Sequence, residues 1–301
     1  MTIAIPPQTT EPPVVAPNGD APPGGHRAAP RPLVPPEVQR VGRARRVAAG
    51  VGYGVLGFVL LGLAWQFAST RAEGLPGPMK TFDTLFDLLS NGFVADGPDG
   101  QGILLQLRDS LVRVFKGFAM AAAIGIPAGI AIGRSRRLHQ VFNPVIQLMR
   151  PVSPLAWYPI ALTVLIQSDP ASVWVIFMAA VWPVILNSAA GAMSVPSYQR
   201  DVARVFQFSR RTQLSQIVLP HAMPSIITGL RLSMGVAWMV IVAAEMLSAP
   251  SGIGFYVWQS YNGAGLRNVI SAVIIIGAVG VALDFAFQAL GRRITHEESH
   301  A

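Results

Sequence analysis

The chain has 301 residues, 51% of them hydrophobic and only 13% charged, with a formal net charge of +8. Soluble domains carry roughly a quarter charged residues, so this composition excludes an ordinary soluble globular domain. Zero cysteines exclude a disulfide framework, an iron–sulfur cluster and a thiolate zinc site, and the basic residues are scattered between apolar segments instead of forming the basic face of a nucleic-acid binder.

Residues 1–46 are low in complexity and punctuated by proline, from Pro6 and Pro7 to Pro35 and Pro36. With few large apolar side chains to offset chain entropy, this segment is expected to be a disordered tail. It lacks the apolar core of a signal peptide. Six candidate membrane spans follow, giving an all-α membrane protein with a six-helix transmembrane domain over 47–293 and a short tail at 294–301.

Span one, Val47–Ala68, is uncharged and long enough to cross a hydrocarbon layer. After it, PMKTFDTLFDLLSNG places Met79, Phe82, Leu85, Phe86 and Leu89 at helical spacing against Lys80, Asp83 and Asp87. Such a helix either lies on the outer membrane surface or caps the bundle. GLPGPMKT (Gly74–Thr81) nearly fits a phosphate-binding loop, but Met79 stands where its second glycine is needed, so no ATP site is encoded there.

Span two, about Leu111–Gly133, carries Arg113 and Lys116 near its start and the small-residue steps Gly125/Gly129 and Gly129/Gly133. These glycines allow close helix approach, within the bundle or to a second copy. Span three, about Val145–Ile166, is interrupted by Pro151, Pro154 and Pro159. Broken backbone at membrane depth must be buried in protein or line a wet cavity, which makes PVSPLAWYP, with Trp157, a candidate for the substrate pathway.

Span four, Ala171–Met193, is uncharged; span five, about Ala222–Leu247, contains Arg231 and Glu245; span six, about Val269–Gly291, contains Asp284. Charge at membrane depth is costly and faces protein or water. Arg231 and Asp284 lie at similar depth, so an interhelical ion pair is the leading reading, with a substrate role for Arg231 behind it. Glu245, near the end of its span, either joins the pathway or sits at the interface.

Arg40, Arg43, Arg45 and Arg46 precede span one, and alternate crossings bring Arg134, Arg136, Arg137, Arg200, Arg204, Arg210, Arg211, Arg292 and Arg293 to the same side. The positive-inside rule then puts both termini in the cytoplasm. The outer loops hold Arg71, Lys80, Arg108 and Arg267 beside Glu73, Asp83, Asp87, Asp96, Asp99, Asp109 and Asp169.

The inner segment YQRDVARVFQFSRRTQLSQIVLP (Tyr198–Pro220) is the conspicuous polar interruption. Pro196 ends span four, and Asp201 is expected in the first turn of a short basic helix, where an acid complements the dipole. Val202, Val205, Phe206 and Phe208 would anchor that helix at the inner membrane surface, among anionic lipid or against a protein partner.

This segment resembles the loop signature of binding-protein-dependent ABC transporter permeases, Glu-Ala-Ala, three residues, Gly, nine residues, Ile-x-Leu-Pro. Here the register is Asp201-Val202-Ala203, then Gln207, then Ile217-Val218-Leu219-Pro220. Asp201 replaces Glu conservatively, whereas Val202 and Gln207 depart from the pattern. The resemblance covers about residues 50–293 and implies a type I importer permease fold. Residues 199–215, within the loop 196–220, would be a coupling helix docking on a separate ATPase through Asp201, Val202, Ala203, Arg204, Phe206, Gln207, Ile217, Leu219 and Pro220.

RPVSPLAWYPIAL, TGLRLSMGVAWMVIVAAEML and GIGFYVWQSYN look like the nitrate/sulfonate/bicarbonate branch, nitrate-type permeases in particular. LPGPMKTF resembles that branch's Leu-Pro-Ser-Pro start, with Gly77 replacing Ser. The resemblance implies a non-catalytic subunit of an inner-membrane anion importer. Its partners would be a second permease copy, two ATPase subunits carrying ATP and Mg, a solute-binding protein outside and membrane lipid, with no cofactor, metal or nucleic acid on this chain. Arg113 and Lys116 would serve the anion or merely snorkel. The competing class, an ion-coupled secondary transporter, has no use for a docking helix, and no catalytic constellation supports a membrane enzyme.

Overall fold

The computed structural model describes residues 36–72, 74–93, 101–263 and 265–297, with backbone alone at 36–49, 51 and 293–297. The Pro-rich stretch 1–35, Glu73, Asp96 and Asp99 lie outside the described residues. Among the described residues all regular structure is helical.

Residues up to Leu60 form a unit of their own. Within it helix α1 (Pro36–Arg71) begins earlier than the sequence suggests, inside the segment expected to lack structure. Pro36 suits a first helical turn, where its missing N–H would be unpartnered anyway, and no proline follows until the helix has ended. Tyr53, Val55 and Phe58 are exposed, as suits a helix in hydrocarbon.

From Leu61 onward the chain is a helical bundle. After α1 come α2 (Pro78–Ser90), α3 (Ile103–Arg134), α4 (Arg136–Met149), α5 (Tyr158–Leu165) and α6 (Ser168–Met193). Then α7 (Ser197–Val205), a single turn α8 (Arg210–Gln213), α9 (Leu219–Ser248), α10 (Ile253–Asn262) and α11 (Leu266–Glu297) complete it. Helix α11 thus runs into the expected C-terminal tail.

Five stretches are long and apolar enough to cross a membrane: Gly52–Arg71, Ile103–Arg134, Ser168–Met193, Arg210–Ser248 and Leu266–Arg292. The expected third span is not a sixth. Helix α4 stops at Met149, a 3-10 turn occupies Pro154–Trp157, and α5 has only 8 residues. Pro151, Pro154 and Pro159 each remove a backbone donor and disfavour helix in the residue before them, so the segment bends through 149–158. The break that the prolines lead one to expect is present, and the apolar piece beyond it is Pro154–Leu165.

The core lies between α3, α6 and α9. Gly129 sits so close to α6 that a Cβ would lie 2.5 Å from the Ile185 carbonyl oxygen and 2.6 Å from Ser188 Cβ. The glycine stripe of α3 is therefore spent on packing within the chain. Ser233 Oγ donates to the Ala180 carbonyl at 2.8 Å, joining α9 to α6, and Trp238 Nε1 donates to the Ile276 carbonyl at 3.0 Å, joining α9 to α11. Helix α2 divides its faces. Thr81 is fully buried and Leu85 and Leu88 meet the core, while Met79, Phe82 and Phe86 remain exposed.

Candidate functional site

Polar chemistry gathers at the two ends of this bundle. At one end, α7 leaves Pro196 and stops at Val205, and α8 is a single turn, so the continuous helix expected over 199–215 is broken. Asp201 is in mid-helix, not in the first turn. It pairs at 2.9 Å with Arg204 one turn on, and both side chains are mostly exposed.

The break is a Schellman turn. Gln207 has φ 51, in the left-handed region. Its N–H donates to the Arg204 carbonyl at 3.0 Å, and the Phe208 N–H donates to the Ala203 carbonyl at 2.9 Å. Two carbonyls that the helix end leaves free are thereby satisfied. A left-handed residue at this place is what glycine supplies without strain, and Gln207 adopts it with a Cβ. Ser209 then caps the next turn, accepting from the Thr212 N–H at 3.1 Å.

Leu214–Val218 widen into a π-turn, with the Leu219 N–H donating to the Leu214 carbonyl. Pro220 explains this: its ring would collide with the carbonyl four residues back in a regular helix, and the wider turn relieves the clash. Of the loop residues, Ala203 is buried at 2% exposure and Val218 is buried, whereas Tyr198, Val202, Val205 and Phe206 stand out from the bundle. Ile217, Leu219 and Pro220 are half-buried beneath them. Between α7 and the π-turn lies a cavity of about 730 Å³, lined by Tyr198, Val202, Phe208, Ile217 and His221.

At the other end, Arg113 does not snorkel. Its guanidinium is buried and every arm is occupied. Nη1 donates to Glu245 Oε1 and to the Ser251 carbonyl, each at 2.8 Å. Nη2 donates to Ser251 Oγ at 2.8 Å and lies 2.8 Å from Asp169 Oδ1, while Nε donates to the same oxygen at 3.0 Å.

Glu245 is fully buried, away from the interface considered for it. Its Oε2 accepts from Ser110 Oγ at 2.7 Å and from the Gly254 N–H at 3.0 Å. Ser110 Oγ also accepts from the Ile253 N–H at 2.8 Å, and the Gly252 N–H donates to Gln106 Oε1. The first N–H groups of α10, which no helix can satisfy internally, are thus held by side chains of α3 and α9. A residue with φ 122 is needed at 252, and a Cβ there would run into the Glu245 carboxyl group. Only glycine meets both conditions.

Nothing in the sequence grouped these residues. Asp169, Ser251, Ser110 and Gln106 are polar positions without a motif, and the available signal was a Gly-Ile-Gly step directly after a buried acid. Lys116 is exposed and shares a cavity of about 380 Å³ with Asp109, Asp169 and Arg113. Trp157 is half-buried beside the cluster containing Tyr158, Ala161 and Val175. Deeper in the bundle, Arg231 meets Asp284 in a bidentate fork, Nε to Oδ1 at 2.6 Å and Nη2 to Oδ2 at 2.7 Å, with both side chains about half exposed. No cluster of metal ligands occurs among the described residues.

Residues 125–296 match the model of the family described as binding-protein-dependent transport system inner membrane component. The bicarbonate transport system permease protein CmpB of Synechococcus elongatus is 43% identical over 235 residues, 77% of this chain and 84% of that protein. The nitrate import permease protein NrtB of Synechocystis sp. is 40% identical over 223 residues, 74% of this chain and 81% of that protein. Among solved structures, an inward-facing MetNI methionine ABC transporter chain superposes with a TM-score of 0.57 at 13% identity, covering 70% of this chain and 98% of that one. That likeness establishes the fold.

Proposed function

On the premise that this chain belongs to the binding-protein-dependent inner-membrane transport components, being an ABC importer permease of the nitrate and bicarbonate type, we propose that it carries nitrate and nitrite across the membrane. It is the non-catalytic, multi-pass subunit of its transporter; ATP is hydrolysed on a separate subunit. In the proposed assembly two copies line the pathway, both termini are cytoplasmic, and a binding protein delivers the anion from outside.

The observation that carries the coupling half of this reading is the outward display of Tyr198, Val202, Val205 and Phe206 above a cavity of about 730 Å³. An apolar set mounted on a capped, basic helix and left uncovered by its own chain suits a protein groove. The branch-type segments support nitrate. Bicarbonate is the second reading, favoured by the 43% identity to a bicarbonate permease; both are small planar oxyanions of single charge.

Uptake of labelled nitrate and of labelled bicarbonate in a deletion strain, with and without the restored gene, separates the two. Loss of bicarbonate uptake alone overturns the nitrate reading and leaves the permease reading intact. Arg204→Glu or Phe206→Glu is expected to abolish ATP-driven uptake while the protein remains in the membrane. Unimpaired uptake would count against the coupling role.

A further inference from the structure

A cavity of about 720 Å³ opens where α1 ends and α2 and α11 begin. Arg71, Lys80 and Arg267 line it together with Gln66, Ser69 and Thr70, and none of its described lining residues is acidic. The cavity at Lys116 is the contrast, because there Asp109 and Asp169 offset the basic groups. Charge among the described residues lining this cavity is thus of one sign.

Local backbone adds to that charge. Helix α2 starts at Pro78 behind Gly77, which supplies no side-chain cap, so the positive end of its dipole is open toward the loop. The loop itself is pinned, since Trp65 Nε1 donates to the Pro76 carbonyl at 3.1 Å. The site is therefore held in shape by the chain.

Depth and surroundings identify the ligand. The apolar stretches Gly52–Arg71 and Leu266–Arg292 both have an end at this cavity, which fixes it at the level of lipid headgroups. Its flanks are greasy and open: Phe67 is 61% exposed, Met79 77% and Phe86 73%. The Arg71 guanidinium rests 5.1 Å above the Phe67 ring, tethered at the boundary between the two environments. A dissolved anion gains nothing from the apolar flanks, whereas a phosphodiester with acyl chains uses both parts. We infer that this cavity binds the headgroup of an acidic phospholipid, with the acyl chains along Phe67 and the exposed face of α2.

Each lysine or arginine near an anionic lipid surface changes binding roughly fivefold, so the three together are expected to select acidic over zwitterionic lipid by at least about tenfold after screening. The test uses the purified full chain in nanodiscs of phosphatidylcholine with and without phosphatidylglycerol. Lipid retained on the protein is counted by native mass spectrometry. Wild type should hold phosphatidylglycerol selectively, the variant Arg71→Gln/Lys80→Gln/Arg267→Gln should lose that preference, and Arg108→Gln, exposed but outside the cavity, should keep it.

An undiminished preference in the triple variant overturns the inference. So does displacement of the bound lipid by millimolar inorganic phosphate or nitrate, which would assign the cavity to a dissolved anion. Thermal unfolding of the triple variant in phosphatidylcholine alone checks its fold. It should match wild type there, because none of the three side chains contributes to the core, and a lower midpoint in that lipid would overturn the reading by making the cluster structural.

Discussion

Breaking the Arg113–Glu245 pair should be the most costly single change in the chain. Both side chains are buried, at 6% and 0% exposure, and removing one partner of such a pair typically costs about 3–5 kcal/mol because the other charge stays buried and uncompensated. Glu245→Gln is not a gentle substitution here. The carboxylate only accepts, taking Arg113 Nη1 on one oxygen and Ser110 Oγ and the Gly254 N–H on the other. Whichever way a carboxamide turns, its NH2 faces a donor. Arg113 keeps Asp169, which is 61% exposed, so some compensation survives and about 3 kcal/mol is the expected loss.

Replacing both residues, Arg113→Met with Glu245→Leu, removes both charges together. The double variant should be more stable than the sum of the single losses implies, by about 2–3 kcal/mol. Equilibrium unfolding of the full chain in mixed micelles, read by tryptophan fluorescence, gives the three differences. Amide exchange at Gly254 supplies a local readout, because its N–H loses the carboxylate acceptor. A Glu245→Gln protein within about 0.5 kcal/mol of wild type, the range of ordinary surface changes, would refute the reasoning.

At the loop, Gln207→Gly should stabilise by roughly 0.5–1 kcal/mol, the relief of a left-handed Cβ less the extra chain entropy of glycine. Gln207→Val should destabilise, since β-branched residues are poor in that conformation, and thermal unfolding that ranks valine with glycine contradicts the Schellman assignment. For the half-exposed pair, Arg231→Asp and Asp284→Arg should each lower the amount of folded protein in membranes. Their combination should restore it, as measured by quantitative immunoblot, and no rescue would sink the pairing.

Depth along a helix can be read from sequence, and rotation about it cannot. Depth is enough to bring Arg231 and Asp284 to one level of the bundle. Rotation decides that Arg113 turns inward to Glu245 while Lys116, three residues on, turns outward, and no periodicity in a helix apolar on most faces encodes that difference. The third span is legible as a broken one from its prolines, but the length of each piece is not. Window hydropathy averages over Pro151, Pro154 and Pro159, whereas the backbone responds to each. In the loop, in contrast, Ala203 and Pro220 act locally: a buried small residue and a widened turn follow from single positions. At Gln207 the register specified a conformation that the residue type argued against, and the conformation prevailed because two backbone hydrogen bonds hold it.

The charges also bear on how an anion could pass. Arg113 has all its donors engaged and Arg231 is forked onto Asp284. Lys116 shares its cavity with Asp109 and Asp169. A singly charged oxyanion reaching either arginine would have to displace a carboxylate already in place, and in the buried case strip an uncompensated charge of its partner. The cations at these places are therefore offset by carboxylates and offer an anion no strong site. Weak binding is what a pathway needs if solute is to leave as readily as it enters. Neutralising Lys116 alone leaves Asp109 and Asp169 facing the cavity, so on the proposed nitrate pathway Lys116→Gln is expected to lower nitrate uptake, and uptake at the wild-type rate would remove Lys116 from that pathway.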